Sequence, residues 1–279
     1  MGTSTNGLSP GLTLSALLLD ATRDQLYVTN QIAIFVFNNA GSASGSIENS
    51  RLLTTAGGGF NSMSLDVARD YLYVGDAASA QVKVFHNAST ARQIADAITG
   101  AVSPNLPNRS FDFSGVGSNA LIVRDVAIDS SKDILYVAVV DAQSASPMSV
   151  FVFEGASNLV TGSILPTRTI AITTNALGTM GLFIDTAHDR LYVADSSGGV
   201  LIIPSASSAN GVPTGTGIAL PTPVTRLAVD VANDRLYGAS GTNGVYIVPG
   251  VSTATGPVPG ATVALPAASG NFTAVAVRP

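Results

Sequence analysis

Short apolar runs alternate with clusters of Gly, Ser, Asn and Pro along the whole chain. Runs such as 34–37, 82–85 and 150–153 are rich in β-branched and aromatic residues and are flanked by turn-forming residues, which is typical of β-strands. The pattern predicts an all-β protein with more than about a third of its residues in antiparallel strands. A short helix is expected at one place only, residues 92–98, inside a long insertion.

An internal repeat organises these runs, because the motif Asp-x-x-x-Asp-x-Leu-Tyr occurs five times, at intervals of 45 to 63 residues. A unit of this size accommodates four short strands, which is one blade of a β-propeller. The first aspartates are Asp20, Asp66, Asp129, Asp185 and Asp230. The second aspartates are Asp24, Asp70, Asp133, Asp189 and Asp234, and the tyrosines are Tyr27, Tyr73, Tyr136, Tyr192 and Tyr237.

The sequence therefore predicts one β-propeller domain over residues 1–279, built from four-stranded antiparallel blades. Five blades are expected, or six if the terminal strands build an extra blade. The predicted repeats lie approximately at 14–55, 61–113, 124–172, 180–220 and 225–265.

A further segment, 272–277, matches the first strand of a sixth repeat. It either closes the chain's own ring or belongs to a blade that another molecule completes. An unpaired strand edge is a template for another chain. The second alternative therefore predicts strand exchange between copies and, if the contact is head-to-tail, a filament.

The repeated aspartates and tyrosines are predicted to be structural, because a catalytic group is needed only once. Aspartate at the start of a tight turn accepts backbone N–H groups. The tyrosine is expected to pack between blades with its hydroxyl hydrogen-bonded at an edge. A calcium site is the alternative, but the spacing lacks the dense oxygen ligands of a calcium loop.

Composition and charge narrow the function. The net charge is −5 and only 11% of residues are charged, which argues against nucleic acid as a partner. Cysteine is absent, so disulfides, thiol catalysis and cysteine-ligated metals are excluded. The sequence contains no stretch of about 18 apolar residues, so no membrane-spanning segment is predicted. The first residues resemble the start of a mature protein from which any export signal has been removed. The weakly charged, cysteine-free composition favours an extracellular or cell-surface location, with the periplasm as an alternative.

Candidate chemistry is sparse. Loops after the second strands and before the first strands share one face, where a ring of aspartates could bind a cation or simply cap loops. The polar residues predicted on that face are Asp76, Asp141, Asp195, Asn61, Arg124, Asp125, Asn175, Arg226 and Asn271. The two glutamates and two histidines are predicted away from it, at Glu48, Glu154, His86 and His188. The sequence accordingly assigns no catalytic, cofactor-binding or metal-ligating residue and no cofactor.

Four segments carry a family resemblance. Leu26-Tyr27-Val28-Thr29-Asn30 resembles the signature of YVTN-type propeller repeats, and Leu191-Tyr192-Val193-Ala194-Asp195 resembles NHL and lactonase-like propellers. Residues 84–90 and 165–170 resemble a bacterial repeat of the form VF-x-NAST…P-x-R-T-I. The resemblance implies a propeller over nearly the whole chain, in a group that includes enzymes and surface-layer-like proteins.

The enzymes of that group offer a comparison. Gluconolactonase-like propellers hold a divalent metal with a channel glutamate, and seven-bladed lactonases depend on a histidine. Neither residue type is predicted on the matching face here. The predicted function is a non-catalytic extracellular or cell-surface module for assembly or protein binding, self-associating by strand exchange. The alternatives are a small-ligand-binding propeller and a lactonase-like hydrolase.

Overall fold

The computed structural model describes residues 14–44, 50–54, 58–91, 94–95, 102–103, 106–117, 121–141, 148–172, 181–194, 198–221, 223–241, 244–258, 261–263 and 274–277. Over these residues the chain forms five successive sheets, each a blade whose first strand faces a central channel. The predicted all-β, five-bladed propeller is confirmed. The extent of the domain over the whole chain stays a prediction.

The strands follow the repeat in order. Blade 1 contains β1 (Ala16–Asp20), β2 (Gln25–Thr29), β3 (Ala33–Asn38) and β4 (Arg51–Thr54). Blade 2 contains β5 (Phe60–Asp66), β6 (Tyr71–Asp76), β7 (Gln81–His86), an inserted hairpin of β8 (Ile94–Ala95) and β9 (Val102–Ser103), and β10 (Arg109–Asp112). Blade 3 contains β11 (Leu121–Asp129), β12 (Ile134–Asp141), β13 (Met148–Glu154) and β15 (Arg168–Ile172). The short strand β14 (Gly162–Ser163) lies between β13 and β15 in the chain but joins the sheet of blade 2.

The last two blades are similar. Blade 4 contains β16 (Gly181–Asp185), β17 (Arg190–Ala194), β18 (Gly199–Pro204) and β19 (Thr216–Ala219). Blade 5 contains β20 (Arg226–Asp230), β21 (Arg235–Ala239), β22 (Val245–Pro249) and β24 (Ala261–Val263). The short strand β23 (Gly256–Pro257) lies between β22 and β24 in the chain but joins the sheet of blade 4. The helical elements of the described residues are 3-10 turns at Ala40–Ser42, Ser114–Val116, Ala156–Asn158 and Ala206–Ser208. No helix among these residues has the length and hydrophobicity to cross a bilayer.

The helix expected at 92–98 is wrong where the structure describes that segment. Ile94–Ala95 pairs antiparallel with Val102–Ser103 as a small hairpin. Both pairs contain a β-branched or small residue that suits a strand, and pairing within the insertion satisfies their backbone groups. The remaining residues of 92–98 lie outside the described residues.

The repeated aspartates build the inner hairpins, as predicted. Asp20 Oδ1 accepts hydrogen bonds from the amides of Thr22 and Arg23 at 3.0 and 3.1 Å. The five second aspartates all adopt positive φ, between 51° and 58°, a conformation that aspartate tolerates. Four of them also accept bonds from the amide and hydroxyl of a serine after the third strand, as in Asp133 with Ser157 at 2.9 and 2.7 Å. These bonds tie the third strand to the inner hairpin.

The repeat tyrosines fill the space between blades. Tyr27, Tyr73, Tyr136 and Tyr192 are buried, whereas Tyr237 is only partly buried. Tyr27 donates its hydroxyl to Gln25 Oε1 at 3.0 Å, and burial raises its pKa to about 12. The buried hydroxyls of Tyr73 and Tyr136 have no partner within the described residues. The expected edge hydrogen bond is therefore wrong for these two, because packing places their oxygens away from available acceptors.

Arginines latch each of the first three blades to the next one. Arg51, Arg109 and Arg168 stand at the start of the outer strands and donate to carbonyl oxygens of the following blade's turn, at 2.7, 2.8 and 3.2 Å for one bond of each. Short segments reinforce the contact, since β14 pairs parallel with β10 and β23 pairs parallel with β19. These parallel pairings extend two of the predicted four-stranded blades to five strands.

The segment Ala274–Val277, called the channel segment below, differs from its prediction. It adopts no regular secondary structure, although 272–277 was expected to form an inner strand. Phe272 and Thr273 lie outside the described residues. The channel segment instead lines the central cavity beside the inner strands.

Candidate functional site

The central channel forms a large cavity among the described residues. The inner strands of all five blades and the channel segment enclose a volume of about 600 Å³. Apolar side chains supply most of the wall, including Leu17, Met63, Val126, Leu182 and Leu227. Pockets of roughly 300–1,000 Å³ with a few polar groups are typical of small-ligand sites. The channel is therefore the candidate site.

Four residues that the sequence placed on one face contact one another, and two of them, Asp125 and Arg226, line this channel. Asn61, Arg124, Asp125 and Arg226, called the channel cluster below, come from blades 2, 3 and 5. Asn61 Nδ2 donates to Val123 O at 2.7 Å and so joins blade 2 to blade 3. The sequence predicted that residues near the starts of the inner strands share one face. The contacts among these four residues agree with that prediction.

Arg226 is the centre of the cluster. Its Nη2 donates to Asn61 O at 2.7 Å and to Arg124 O at 3.1 Å, and its Nη1 donates to Thr225 O at 2.9 Å. Its Nε lies 4.0 Å from Asp125 Oδ2, with both side chains largely buried. One guanidinium thus connects blade 5 to blades 2 and 3.

Asp125 bonds to blade 4 as well. Its Oδ2 accepts from the Leu182 amide at 2.8 Å, and its Oδ1 accepts from the Val126 amide at 2.9 Å. Burial raises the pKa of Asp125, and the charge of Arg226 and the two amides oppose that rise without cancelling it. The carboxyl group is a buried acceptor that joins inner strands.

Arg124 has a different environment. Its guanidinium forms no hydrogen bond or ion pair within the described residues, and its Nε is buried. Burial lowers the pKa of Arg124, and the neighbouring charge of Arg226 lowers it further. The cluster therefore holds two guanidinium groups and one carboxylate.

Gly181 makes room for this arrangement. A Cβ added at Gly181 would lie 3.1 Å from the Arg226 Cα and 3.2 Å from Thr225 O. Contacts this short with backbone atoms would move β20 away from β16. No sequence pattern signals this role, because the glycine has no distinguishing neighbour in the motif.

Asp76 is a structural residue of blade 2. Its Oδ1 accepts the amides of Ala78 and Ser79 at 3.0 and 3.2 Å, and Lys83 Nζ donates to its Oδ2. Burial raises the pKa of Asp76, but the bonds from Lys83 and Ser79 outweigh burial and leave it below its usual value. Asp76 therefore caps its loop, which is one of the two alternatives that the sequence left open for the aspartates of this face. Its buried partner Lys83 was not predicted.

The remaining predicted positions are not part of the cluster. Asp141 is partly buried at the end of β12. Asp195, Asn175 and Asn271 lie outside the described residues, as does Glu48. Within the described residues, no group of three or more His, Asp or Glu side chains is arranged to hold a metal ion.

The other glutamate and both histidines lie elsewhere. Glu154 Oε1 pairs with Arg168 Nη2 at 3.1 Å on the exterior of blade 3. His86 stacks on Tyr71 with ring centroids 4.1 Å apart, and burial lowers its pKa. His188 is 55% exposed in the inner hairpin of blade 4 and bonds to Asp185 through Nδ1 at 2.8 Å.

Comparisons with known proteins support the fold. No family model matches the chain, and no curated protein matches it. The chain is similar to the WD40 repeats of RRP9, with 12% identity and a TM-score of 0.57 over 89% of this chain and 63% of that one.

Two further structures are similar. The β-propeller domain of Cps50 (Swd1) from Myceliophteria thermophila shares 12% identity, with a TM-score of 0.54 over 88% of this chain and 67% of that one. A chain of a Nidogen/Laminin complex shares 15% identity, with a TM-score of 0.57 over 88% of this chain and 79% of that one. At these identities the likeness establishes the β-propeller fold.

Proposed function

We propose that this chain is a non-catalytic β-propeller of the YVTN/NHL type that binds protein and assembles with copies of itself outside the cell or at the cell surface. The observation that carries the proposal is the state of the channel segment. It is an alternating Ala-Val-Ala-Val sequence that lies against the inner strands without pairing to them.

The channel segment has unused backbone groups. Within the described residues, no backbone hydrogen bond joins Ala274–Val277 to another strand. Three of its four residues are partly buried, so apolar contact holds it in place. Amides and carbonyls that leave water without a partner cost free energy. Pairing with a strand edge would recover that cost.

The inner edges of blades 5 and 1 fit such a partner. In blade 4, the edge amide of Leu182 is occupied by the Asp125 carboxylate of the preceding blade. Leu227 and Leu17 hold the same repeat position in blades 5 and 1, three residues before the first aspartate. The residues matching Asp125 before them are Gly181 and Arg226, which offer no side-chain acceptor. These edges suit an extended segment donated by a second copy.

Three of the polar residues predicted on the channel face support a scaffold over an enzyme. Asp76, Asp125 and Arg226 all have partners inside the protein. One similar structure comes from a Nidogen/Laminin complex, in line with a propeller used for protein contacts.

Light scattering after size exclusion tests the proposal. The whole chain is expected to give concentration-dependent oligomers. The double variant Val275→Asp/Val277→Asp is expected to be monomeric, because charge on this segment opposes burial between strands. Val212→Asp is a matched control, since Val212 is 66% exposed and its change leaves assembly intact.

Two outcomes would contradict the proposal. A monomer at every concentration removes self-association, and equal assembly of all three proteins removes the channel segment as its cause.

A lactone-hydrolysis assay addresses the alternative enzyme, and hydrolysis abolished by substitution of Glu154 or His188 would favour it. Antibody labelling of intact source cells tests the surface location.

A further inference from the structure

The channel cluster has one more cation than it has anions. Arg226 lies against the backbone of Arg124, and Asp125 is the carboxylate 4.0 Å from Arg226. Arg124 itself has no counter-charge within the described residues. The Arg124 Nε is buried without a partner among the described residues, and burial of part of a cation is costly unless an anion or acceptor compensates it. The described cluster therefore lacks one negative charge.

The channel cluster borders an apolar cavity. Asp125 and Arg226 line the cavity of about 600 Å³, and Arg124 precedes Asp125 in β11 and contacts Arg226 through its carbonyl oxygen. Met63, Val126 and Leu182 belong to its apolar wall. A ligand that satisfies both parts needs a negative group at one end and an apolar body.

We propose that the channel binds a small monocarboxylate with an apolar tail. Its carboxylate pairs with the Arg124 guanidinium in the field of Arg226, and its tail lies along the inner strands. The planar guanidinium matches a carboxylate through two parallel hydrogen bonds. A single negative charge equals the single charge that the cluster lacks, which favours a carboxylate over a doubly charged phosphate.

Titration calorimetry with octanoate tests the proposal directly. Octanoate is expected to bind, and octanol and acetate are each expected to bind at least tenfold more weakly, because one lacks the charge and the other lacks the tail. From butanoate to octanoate, affinity is expected to rise by about fourfold for each methylene that is buried. This series uses the unaltered protein and does not depend on the folding of any variant.

Variants locate the site. Arg124→Gln is expected to weaken octanoate binding at least tenfold, whereas Arg235→Gln, at an exposed arginine of β21, leaves it unchanged. Ala127→Leu fills part of the cavity and is expected to weaken octanoate more than acetate. Melting curves show whether each variant is folded.

Several results would overturn the proposal. These are no octanoate binding, affinity that does not change with tail length, sulfate binding as tight as octanoate, and equal effects of the two arginine substitutions. Loss of octanoate binding in an assembling protein would reject this inference alone, and octanoate binding by a monomer would reject the proposed self-association alone.

Discussion

Lys83→Met is expected to destabilise the propeller strongly at neutral pH. The Lys83 and Asp76 side chains are 8% and 1% exposed, and Lys83 also lies 5.3 Å from the centroid of the Phe60 ring. Methionine keeps the stem but removes the charge, so Asp76 is left as a buried carboxylate without its cation. Breaking a buried pair on one side costs about 3–5 kcal/mol.

A surface pair provides the control. Lys132 Nζ lies 2.7 Å from Asp189 Oδ1, but these side chains are 35% and 28% exposed. Lys132→Met is therefore expected to cost less than about 1 kcal/mol, as solvent-screened pairs do. The double variant Asp76→Asn/Lys83→Met is expected to regain most of the lost stability, because an amide can still cap the turn without a buried charge.

The loss of stability in Lys83→Met is expected to depend on pH, in a direction set by the pKa of Asp76. The pKa of Asp76 is lowered in the folded protein, so its stabilising contribution is complete above the unfolded pKa of about 3.9 and is lost as pH falls through the folded pKa. In Lys83→Met, burial acts without the cation and raises that pKa. The difference between the two proteins is thus largest at pH 7 and smaller near pH 4.

Urea unfolding followed by circular dichroism at both pH values measures this difference. A loss below about 1 kcal/mol at pH 7 would show that water or rearrangement compensates Asp76. An equal loss at both pH values would refute the electrostatic explanation in favour of lost packing.

Further substitutions test the packing. Tyr73→Phe is expected to be neutral or stabilising because its hydroxyl lacks a partner among the described residues, whereas Tyr27→Phe loses a hydrogen bond worth about 1 kcal/mol. Denaturant melts in which Tyr73→Phe is the less stable of the two variants would be contrary evidence. Tyr192→Ala should cost about 3–5 kcal/mol and His188→Ala well under about 1 kcal/mol, and similar small losses would mean that the tyrosine does not hold blades together. Gly181→Ala should cost about 1–3 kcal/mol by calorimetric melting, unless the inner strands separate freely.

The fold was predictable because each blade repeats the same local chemistry. The spacing of Asp129, Asp133 and Tyr136 defines a hairpin and a buried second strand, and both are formed. The latch from Arg109 to the next blade was not predictable, because it depends on which backbone carbonyls come within reach after the blades pack. The parallel strand Gly162–Ser163 was missed for the same reason.

The site was predictable as a face but not as a set of contacts. The positions of Asn61, Asp125 and Arg226 near the predicted starts of their inner strands placed them correctly on one side of the ring. That Arg226 spans the channel depends on the absence of a side chain at Gly181, which no local pattern signals. The channel segment was predicted as a strand from its alternation, yet alternation does not supply an edge for it to pair with.

Cross-linking between two single-cysteine variants tests the central claim most directly, because the natural chain has no cysteine. Leu17 and Val275 both line the channel, on an inner strand and on the channel segment. An equal mixture of Leu17→Cys and Val275→Cys chains is expected to form a disulfide-linked dimer whose linked peptide joins the two positions. A mixture that forms no such dimer, while the double variant Leu17→Cys/Val275→Cys closes its own disulfide as a monomer, would contradict assembly through this segment.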